Sequence, residues 1–528
     1  MVFTSAIFLF AFLPAALIAF YLVPPRWRTA PLIVMSAVFY AWGEPVLVVL
    51  ILATGLFTYW WGRRILAQQA DRRRKALLVV GIVVTLIPIA IFKYLNFVLV
   101  QLHLQSLADQ THLPLPIGVS FYTFMAISYL IDIYRRRDIG APSLRAFSGF
   151  LTMFPHMVAG PIVRWNHIGP QLVAPRFDPG LFGYGALRVA SGVAKKVVLA
   201  DSLSVVVDGL FVTGDPTSVA AAWTATALYS LQIYLDFSAY SDIAIGLAAM
   251  LGVRFHENFN YPYISRSARE FWQRWHISLS SWFRDYLYIP LGGSRVRPAL
   301  VWRNLIVVWA LTGLWHGAAW TFVLWGLYFG VVIGLERSLY GDALARAPRP
   351  LQHLYGLLVA VLGWVLFRST TLHQAGSYYW SMTGLRPDLP RWDPQVGLAL
   401  DRTWVIAVIG IVLAAGAARP FMDRAERALT RTPAPAPPPA PSATPRSPTG
   451  SPTGSAAARE ATGTTLTLEP TAERTEPAAD QPISTLFAVV IALLVGVLLV
   501  VSTAFIVATT YSPFIYFRFL GSTCPDDS

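Results

Sequence analysis

Residues 304–326 read NLIVVWALTGLWHGAAWTFVLWG, an apolar stretch that carries one histidine, His316. About 20 apolar residues in a helix cross the roughly 30 Å hydrocarbon layer of a membrane. His316 follows Leu305 by eleven residues, and at about 1.5 Å per residue it lies about 16 Å along a straight helix. The stretch therefore predicts a membrane-spanning helix with His316 near the middle of the bilayer.

His316 is a candidate functional residue because an ionisable side chain inside an apolar span is costly. Gly313 and Gly317 leave space beside its imidazole for a substrate or for another backbone. A neutral imidazole in that position can act as a general base towards a hydroxyl or a thiol. A buried histidine that is hydrogen-bonded for packing fits the same residues, and the stretch alone leaves both interpretations open.

The composition of the whole chain has the same apolar character. Of its 528 residues, 55% are hydrophobic and 13% are charged, and the mean hydropathy is +0.53. Soluble domains carry about 25% charged residues, so a soluble enzyme, a disordered protein and a collagen-like fibre are excluded. The net charge of +13 indicates basic loops facing anionic lipid, and we expect no nucleic-acid partner. The single cysteine, Cys524, excludes a cysteine-based metal site, and we expect no metal.

Eleven apolar runs predict an all-α polytopic membrane protein. Several runs are short or interrupted by proline and glycine, for example at Pro88, Pro155 and Gly160. Interrupted helices persist at membrane depth only where protein or a water-filled cavity satisfies the backbone groups. We therefore expect about 10–12 transmembrane helices, with re-entrant segments, around a central cavity. The runs are 3–23, 46–61, 76–92, 117–134, 147–163, 198–211, 218–237, 305–325, 354–367, 404–417 and 486–507.

Basic residues near the span ends predict the orientation, because cytoplasmic loops are enriched in Lys and Arg. One basic cluster lies at residues 63–75 and a second at 135–137, two crossings later, so both loops are placed in the cytoplasm. Counting back through the earlier spans puts the N-terminus outside. Residues 431–481 are rich in Pro, Ser and Thr and predict a disordered linker. We expect a transmembrane core at 1–430 and a final transmembrane helix and tail at 482–528.

A second candidate region is EFWQRWHISLSSWFRDYLYIPLGG, residues 270–293. Glu270 and Arg274 are spaced for an ion pair on one helix face, and His276 and Ser280 share that spacing. The segment is too polar to face lipid and too aromatic for a solvated loop. A helix that lines a cavity and an amphipathic surface helix both fit. Other pore or substrate-lining candidates in this region are Trp275, Arg284 and Asp285.

A third region, LQIYLDFSAYSDIAIGLAAMLG, places two carboxylates and several hydroxyls in apolar sequence. Its candidates are Asp236, Ser238, Tyr240 and Asp242. The two aspartates are six residues apart and do not share a helix face, whereas Ser238 and Asp242 do. Ion coordination, a proton relay and a polar network between helices all remain open. The nearby basic pair, Lys195 and Lys196, fits either contact with phosphate or lipid headgroups or a simple topology signal.

Three long motifs in this chain resemble those of the membrane-bound O-acyltransferase (MBOAT) family, in the bacterial branch of the alginate O-acetyltransferase membrane subunit. They are DFSAYSD from Asp236, HENFNYPYISRSAREFWQRWHISLSSWFRDYLYIPLGG from His256, and LTGLWHGAAWTFVLWG from Leu311. Shorter segments extend the resemblance over nearly the whole chain except the linker. These are PIGVSFYTF, MVAGPIVRW, AKKVVLAD, VLFRS and PFIYFRF.

The resemblance implies a ring of helices around a narrow central funnel, with the signature histidine at His316. It places the family's second histidine at His276, and Asn304 and Trp315 become candidate donors to developing negative charge. Three positions depart from the family pattern. Phe329 stands where a third histidine is common, His156 where glutamine is common, and Arg518 where glutamine precedes the final phenylalanine of the last motif.

The resemblance implies transfer of an acyl group, expected to be acetyl, from a cytoplasmic donor to a hydroxyl outside a bacterial inner membrane. His316 is then the general base and His276 assists. We expect no bound cofactor, with acetyl-CoA or another acyl thioester as donor. The acceptor is expected to be an exopolysaccharide, reached directly or through a periplasmic partner acyltransferase. A D-alanyl or peptidoglycan acyltransferase, an acyl-group transporter and a scaffold without chemistry remain as alternatives.

Overall fold

Helices make up all the regular structure in residues 1–111, 113–135, 142–211, 214–430 and 485–508, the residues that this computed structural model describes. In the N-terminal half the α-helices are α1 (Leu13–Tyr21), α2 (Thr29–Gly43), α3 (Val48–Ala67), α4 (Asp71–Ile89), α5 (Leu95–Gln101), α6 (Gln105–Gln110), α7 (Val119–Arg135), α8 (Leu144–Thr152), α9 (Phe154–Met157), α10 (Trp165–Ile168), α11 (Pro179–Ala194), α12 (Asp201–Leu210) and α13 (Val219–Met250).

In the described part of the C-terminal half, the helices range from 6 to 24 residues in length. They are α14 (Ala268–Arg274), α15 (Ile277–Phe283), α16 (Pro298–His316), α17 (Trp320–Leu335), α18 (Gly341–Arg346), α19 (Arg349–Arg368), α20 (Leu372–Met382), α21 (Pro394–Ala414), α22 (Arg419–Thr430) and α23 (Thr485–Ala508). Short π-helical segments join several of them, at Phe8–Phe12, Ala90–Tyr94, Lys195–Ala200, Arg284–Tyr288 and Glu336–Tyr340.

The prediction of an all-α polytopic membrane protein is confirmed. Among the described residues, six helices are long and apolar enough to cross a membrane, and Phe8–Tyr21 and Thr29–Gly43 are shorter apolar helices. The six are Asp71–Gln101, Pro298–His316, Trp320–Arg346, Arg349–Arg368, Pro394–Ala414 and Phe487–Ala508. The predicted linker and the C-terminal tail lie outside the described residues, although α23, which follows the linker, packs Ile491 against Leu187 of α11.

The buried centre of the bundle is α13, which has 32 residues. It packs along α11, where glycines let the two backbones touch. A Cβ atom added at Gly246 would lie 2.6 Å from the Gly185 carbonyl oxygen, and one at Gly192 would lie 2.9 Å from that of Ala239. The close approach leaves little room for side chains between these helices, and polar groups there must pair with each other.

The two basic clusters meet at one end of the bundle, which we call the basic end. The Arg74 guanidinium donates to the Ile133 carbonyl at 2.9 Å, near the end of α7. Arg135, the last residue of α7, donates to the Asp285 carbonyl at 3.1 Å. The loop between α3 and α4, the end of α7 and the segment after α15 therefore lie on the same side.

The expectation of one straight helix over residues 305–325 is wrong. Helix α16 ends at His316, and α17 begins at Trp320 and runs back beside it. Gly317 has extended backbone angles (φ −165°), which ends the helix. Glycines hold the hairpin closed, because a Cβ atom at Gly313 would lie 2.2 Å from the Phe322 carbonyl oxygen. The apolar run continues through the turn, so its hydropathy gave no sign of the break.

Candidate active site

His316 is the last residue of α16, and its ring lies among aromatic side chains. The residue is 4% exposed. The rings of Trp315, Trp325 and Phe367 lie 4.8, 4.9 and 5.2 Å from the imidazole, centre to centre, and each is nearly perpendicular to it. These rings come from α16, α17 and α19, so three helices fix the position of the imidazole. A base in such a setting is shielded from bulk water.

The end of α16 is held by the dipeptide Lys93–Tyr94 of the helix that runs from Asp71 to Gln101. The Lys93 ammonium donates to the Trp315 carbonyl and, at 3.3 Å, to the Ser120 hydroxyl. The Tyr94 hydroxyl donates to the Leu314 carbonyl at 2.9 Å. The sequence interpretation missed both residues because it ended the apolar run at residue 92. A lysine that directly follows an apolar run and precedes more apolar residues was the available signal.

His276 lies between the short helices α14 and α15 and is fully buried. Its backbone is left-handed (φ 43°), a strained conformation for a residue with a Cβ atom. The Asn258 side-chain nitrogen donates to the Ser241 hydroxyl at 3.0 Å, so its oxygen faces His276 Nδ1, 3.1 Å away. This contact places the imidazole proton on Nδ1. The Nε2 atom is then an acceptor, and it has no hydrogen-bond partner among the described residues.

The two candidate histidines both lie near one indole, that of Trp315. The His276 ring lies 6.1 Å from the ring of Trp315, which is adjacent to His316 in sequence and 4.8 Å from it in space. The sequence separates them by forty residues and by one interruption of the helical structure, at residues 289–297. Trp315, predicted as a site residue, thus lies at the centre of the group.

A cavity of about 1640 Å³ opens beside this group at the basic end. Five arginines line it, with Glu270 and Glu336 the acidic side chains of its wall. Towards the core its lining turns apolar, with Leu305, Trp309 and Trp272, and it reaches Thr312, one helical turn before His316. The arginines are Arg266, Arg269, Arg284, Arg295 and Arg337.

The cavity ends short of both histidines, since neither His276 nor His316 is part of its wall. Two indoles separate it from His316. Trp272 lines the cavity, its ring lies 5.5 Å from that of Trp325, and Trp325 in turn lies 4.9 Å from His316. A reactant in the cavity therefore reaches His316 only when a side chain of this wall moves.

Of the predicted residues of 270–293, three line the cavity (Glu270, Ser280 and Arg284) and four are not part of its wall (Arg274, Trp275, His276 and Asp285). The Glu270–Arg274 ion pair is confirmed at 2.9 Å. Ser280 and Arg284 belong to the cavity wall, whereas Trp275 is buried and stacks 5.6 Å from Phe271. Asp285 pairs with Arg164 at 2.7 Å and with Arg284 at 2.7 Å. Burial raises the pKa of the Asp285 carboxyl, but hydrogen bonds from Arg284 and Arg164 hold it below its usual range.

The predicted residues of α13 form an ion-pair network between helices. Asp242 pairs with Arg188 and Lys195, each at 2.5 Å, and Ser238 accepts from the same lysine at 3.2 Å. That shared partner confirms the common face of Ser238 and Asp242. Tyr240 is buried, with its ring 6.0 Å from that of Phe3.

Lys196 joins the network through a second pair of carboxylates. It lies 3.0 Å from Asp236 and 2.5 Å from Asp201, and its side chain is 2% exposed. Contact of Lys196 with phosphate or lipid headgroups is therefore wrong, because the ammonium is enclosed by protein carboxylates. Of the alternatives left open for this region, the polar network between helices is the one observed.

Asn304 does not act beside His316. Its side-chain nitrogen donates to the Leu291 and Gly293 carbonyls at 3.1 and 3.2 Å, and its oxygen accepts from Arg303. It lies twelve residues before His316 on α16, about 18 Å away along the axis. The candidate role of Asn304 as a donor to developing charge is therefore wrong, because its amide holds the loop at the basic end.

Comparison with known proteins places this site within a family. Residues 89–350 match the family described as MBOAT, membrane-bound O-acyltransferase. The chain is 42% identical over 426 residues to the probable alginate O-acetylase AlgI of Azotobacter vinelandii, covering 78% of this chain and 85% of that protein. The chain belongs to the membrane-bound O-acyltransferase family. It is an O-acyltransferase by that membership.

Other relatives within the MBOAT family are similar to the chain over much of its length. The probable alginate O-acetylase AlgI of Pseudomonas aeruginosa is 43% identical over 389 residues, covering 72% of this chain and 75% of that protein. The peptidoglycan O-acetyltransferase of Helicobacter pylori is 32% identical over 423 residues, covering 73% and 80%. The teichoic acid D-alanyltransferase of Bacillus subtilis is 26% identical over 231 residues, covering 41% and 58%.

Two of the three departures from the MBOAT pattern are buried in the packed interior of this chain. Phe329, at the position of a third histidine, is fully buried and packs 5.0 Å from Trp272. His156 is also fully buried, and its Nε2 atom lies 2.9 Å from the Phe150 carbonyl. Arg518 lies outside the described residues.

Proposed function

We propose that this chain transfers an acetyl group to a hydroxyl of an alginate-like exopolysaccharide, with His316 as general base. The observation that carries the proposal is the placement of His316. The imidazole ends a helix, is enclosed by three aromatic rings and lies one turn beyond a large cavity. Two relatives that are 42% and 43% identical to the chain over the aligned residues are named for alginate O-acetylation.

The chemistry follows from a neutral imidazole next to a bound acyl donor. His316 takes the proton of the acceptor hydroxyl as its oxygen bonds to the acyl carbonyl carbon. The carbon–sulfur bond of the thioester then breaks, and the thiolate leaves and takes up a proton from His316. Hydrogen-bond donors in a site without water stabilise the negative charge on the carbonyl oxygen. The Nε2 atom of His276 has no hydrogen-bond partner among the described residues and can accept a proton. In the proposed reaction His276 relays a proton to or from His316.

The donor that fits the cavity is an anionic acyl thioester such as acetyl-CoA. Five arginines line the cavity, and guanidinium groups bind phosphate in a two-pronged geometry. The cavity opens at the basic end, which we assign to the cytoplasm because basic loops face that side. This assignment puts the N-terminus outside an inner membrane, and no nucleotide would need to cross it.

The acceptor approaches from the opposite side. We propose that a periplasmic partner acyltransferase accepts the acetyl group on a hydroxyl and passes it to the polymer, since a soluble partner can reach polymer in the periplasm. Direct transfer to the polysaccharide uses the same chemistry at His316. Transfer to peptidoglycan, or of D-alanine, is the alternative within the family, and relatives with those names share fewer residues with the chain.

The first test is His316→Ala in cells that lack the native chain, scored by the O-acetyl content of the polymer. We expect acetylation to fall to background at normal membrane abundance. The matched control is His353→Ala, because His353 lies on α19 with an exposed side chain, and we expect full acetylation. Retained acetylation in His316→Ala would exclude His316 as the base.

Two further experiments distinguish the proposed enzyme from a scaffold and from a transporter. A scaffold predicts that a His316→Ala, His276→Ala double variant still supports acetylation. A transporter without chemistry predicts that purified wild-type protein moves the acyl group across a vesicle membrane but transfers none to a hydroxyl. Our proposal predicts neither result.

A further inference from the structure

Lys93 is a buried lysine in the helix that runs from Asp71 to Gln101. The residue is 8% exposed, and no carboxylate pairs with it among the residues described. Burying an ammonium group without an opposite charge is costly. The cost is offset by contacts with the Trp315 carbonyl, the Ser120 hydroxyl and the face of the Trp315 indole, 5.8 Å away.

The contacts of Lys93 and its neighbour fall on the last turn of α16. The last carbonyl groups of any helix lack partners within it and must find donors elsewhere. In α16 the Gly313 carbonyl accepts from Gly317, at 3.3 Å. The next two carbonyls, those of Leu314 and Trp315, accept from Tyr94 and Lys93. Two adjacent residues of a distant helix thus occupy the two carbonyls immediately before His316.

The backbone around Lys93 has the irregularity that such a contact needs. Residues Ala90–Tyr94 are π-helical, directly after the proline at residue 88. Proline cannot donate a backbone hydrogen bond, and π-helical turns redirect side chains and occur often at functional sites. A positive charge at a helix C-terminus also interacts favourably with the negative end of the helix dipole. Geometry and charge therefore favour the same contact.

We propose that Lys93 and Tyr94 are positioning residues for His316. They fix the end of α16, and with it the direction in which the imidazole faces its reactants. They act through His316 and need not touch the substrate. The proposal rests on the proposed function, because it assumes that His316 is the base. Catalytic groups must be held within about 0.5 Å of their working geometry, and a free helix end would not do so.

The experiment compares three substitutions at matched membrane abundance. The measured quantity is the rate of polymer O-acetylation. Lys93→Met removes the charge and keeps the length, Lys93→Arg keeps the charge, and Tyr94→Phe removes one hydroxyl. The matched control is Tyr378→Phe, because the Tyr378 hydroxyl donates at 3.1 Å to the carbonyl of Leu210, the last residue of α12. It is the same contact at a different helix end.

We expect Lys93→Met and Tyr94→Phe to lower the acetylation rate at least tenfold. Lys93→Arg should keep at least a third of the wild-type rate, and Tyr378→Phe should change the rate less than twofold. Thermal unfolding of Tyr94→Phe should match that of Tyr378→Phe, which separates positioning from folding. Equal rates for Tyr94→Phe and Tyr378→Phe, or no recovery by arginine, would overturn the proposal. If His316→Ala retained activity, the proposed function would fail as well.

Discussion

At the residue scale, the setting of His316 differs from that of a histidine buried only for packing. His156 is such a residue, with Nε2 placed against the Phe150 carbonyl in a fully enclosed site. His316 instead ends a helix at a break, beside a cavity and a second histidine. Aromatic rings around it shield the imidazole from bulk water, which suits a base that must accept a proton from a reactant.

The indole of Trp325 gives a prediction about stability at this scale. Its N–H is buried without a hydrogen-bond partner among the described residues, whereas the N–H of neighbouring Trp364 donates to the Tyr263 hydroxyl at 3.0 Å. Both residues are 1% exposed, so substitution by phenylalanine removes a similar volume. We expect Trp364→Phe to be the more destabilising by about 1 kcal/mol, the usual net worth of one hydrogen bond.

Thermal unfolding of the two variants in the same detergent measures this difference. The wild-type chain gives the starting stability. The Trp325→Phe variant gives the stability lost when the volume is removed without a described hydrogen bond. Equal losses of stability, or a larger loss for Trp325→Phe, would show that the Trp325 N–H has a partner that the described residues do not reveal.

At the element scale, the α16–α17 hairpin depends on backbone contact through glycine. A Cβ atom at Gly326 would lie 2.1 Å from the Trp309 carbonyl oxygen, whereas one at Gly376, inside α20, would meet no atom within 4 Å. Alanine is favoured over glycine in a helix by about 1 kcal/mol, but enforced overlap costs about 1–3 kcal/mol or more. We expect Gly326→Ala to lower the unfolding temperature and membrane abundance, and Gly376→Ala to keep or raise both.

Fluorescence-detected gel filtration after heating compares the two alanine variants directly. A Gly326→Ala variant as stable as Gly376→Ala would mean that α16 and α17 do not pack at the distance described here. Loss of Gly326→Ala together with normal Gly376→Ala would support the hairpin, and with it the placement of His316 at a helix end.

The elements also show how far sequence reasoning extends in this protein. The apolar runs predicted the long helices because hydropathy reports burial in lipid or protein. His316 was found because ionisable groups are rare in such runs. His276 was found because it lies in an aromatic segment that carries several charged residues and resembles the family's second histidine motif. The break after His316 was missed because glycine-mediated backbone contact leaves no mark on hydropathy. Lys93 was missed because the run was ended one residue before it, and Asn304 was misplaced because its partners, the carbonyls of residues 291 and 293, are set by tertiary folding.

At the scale of the whole molecule, the cavity at the basic end and the aromatic rings around His316 lie next to each other. The cavity enters between α14, α15 and α16 and stops at Thr312 and Trp272. His316, its two neighbouring indoles and Phe367 lie beyond it. Under the proposed function, this arrangement would separate an entrance for a charged donor from an enclosed site of transfer, with aromatic side chains as the barrier between them.

The most direct measurement of the central claim uses purified protein in sealed vesicles. Radiolabelled acetyl-CoA is supplied on the side of the basic end, and a hydroxyl acceptor, an alginate oligosaccharide with or without the periplasmic partner, on the other side. If His316 is the general base, we expect labelled O-acetyl ester on the acceptor with the wild-type chain and none with His316→Ala. Label on the acceptor at the wild-type rate with His316→Ala would contradict it.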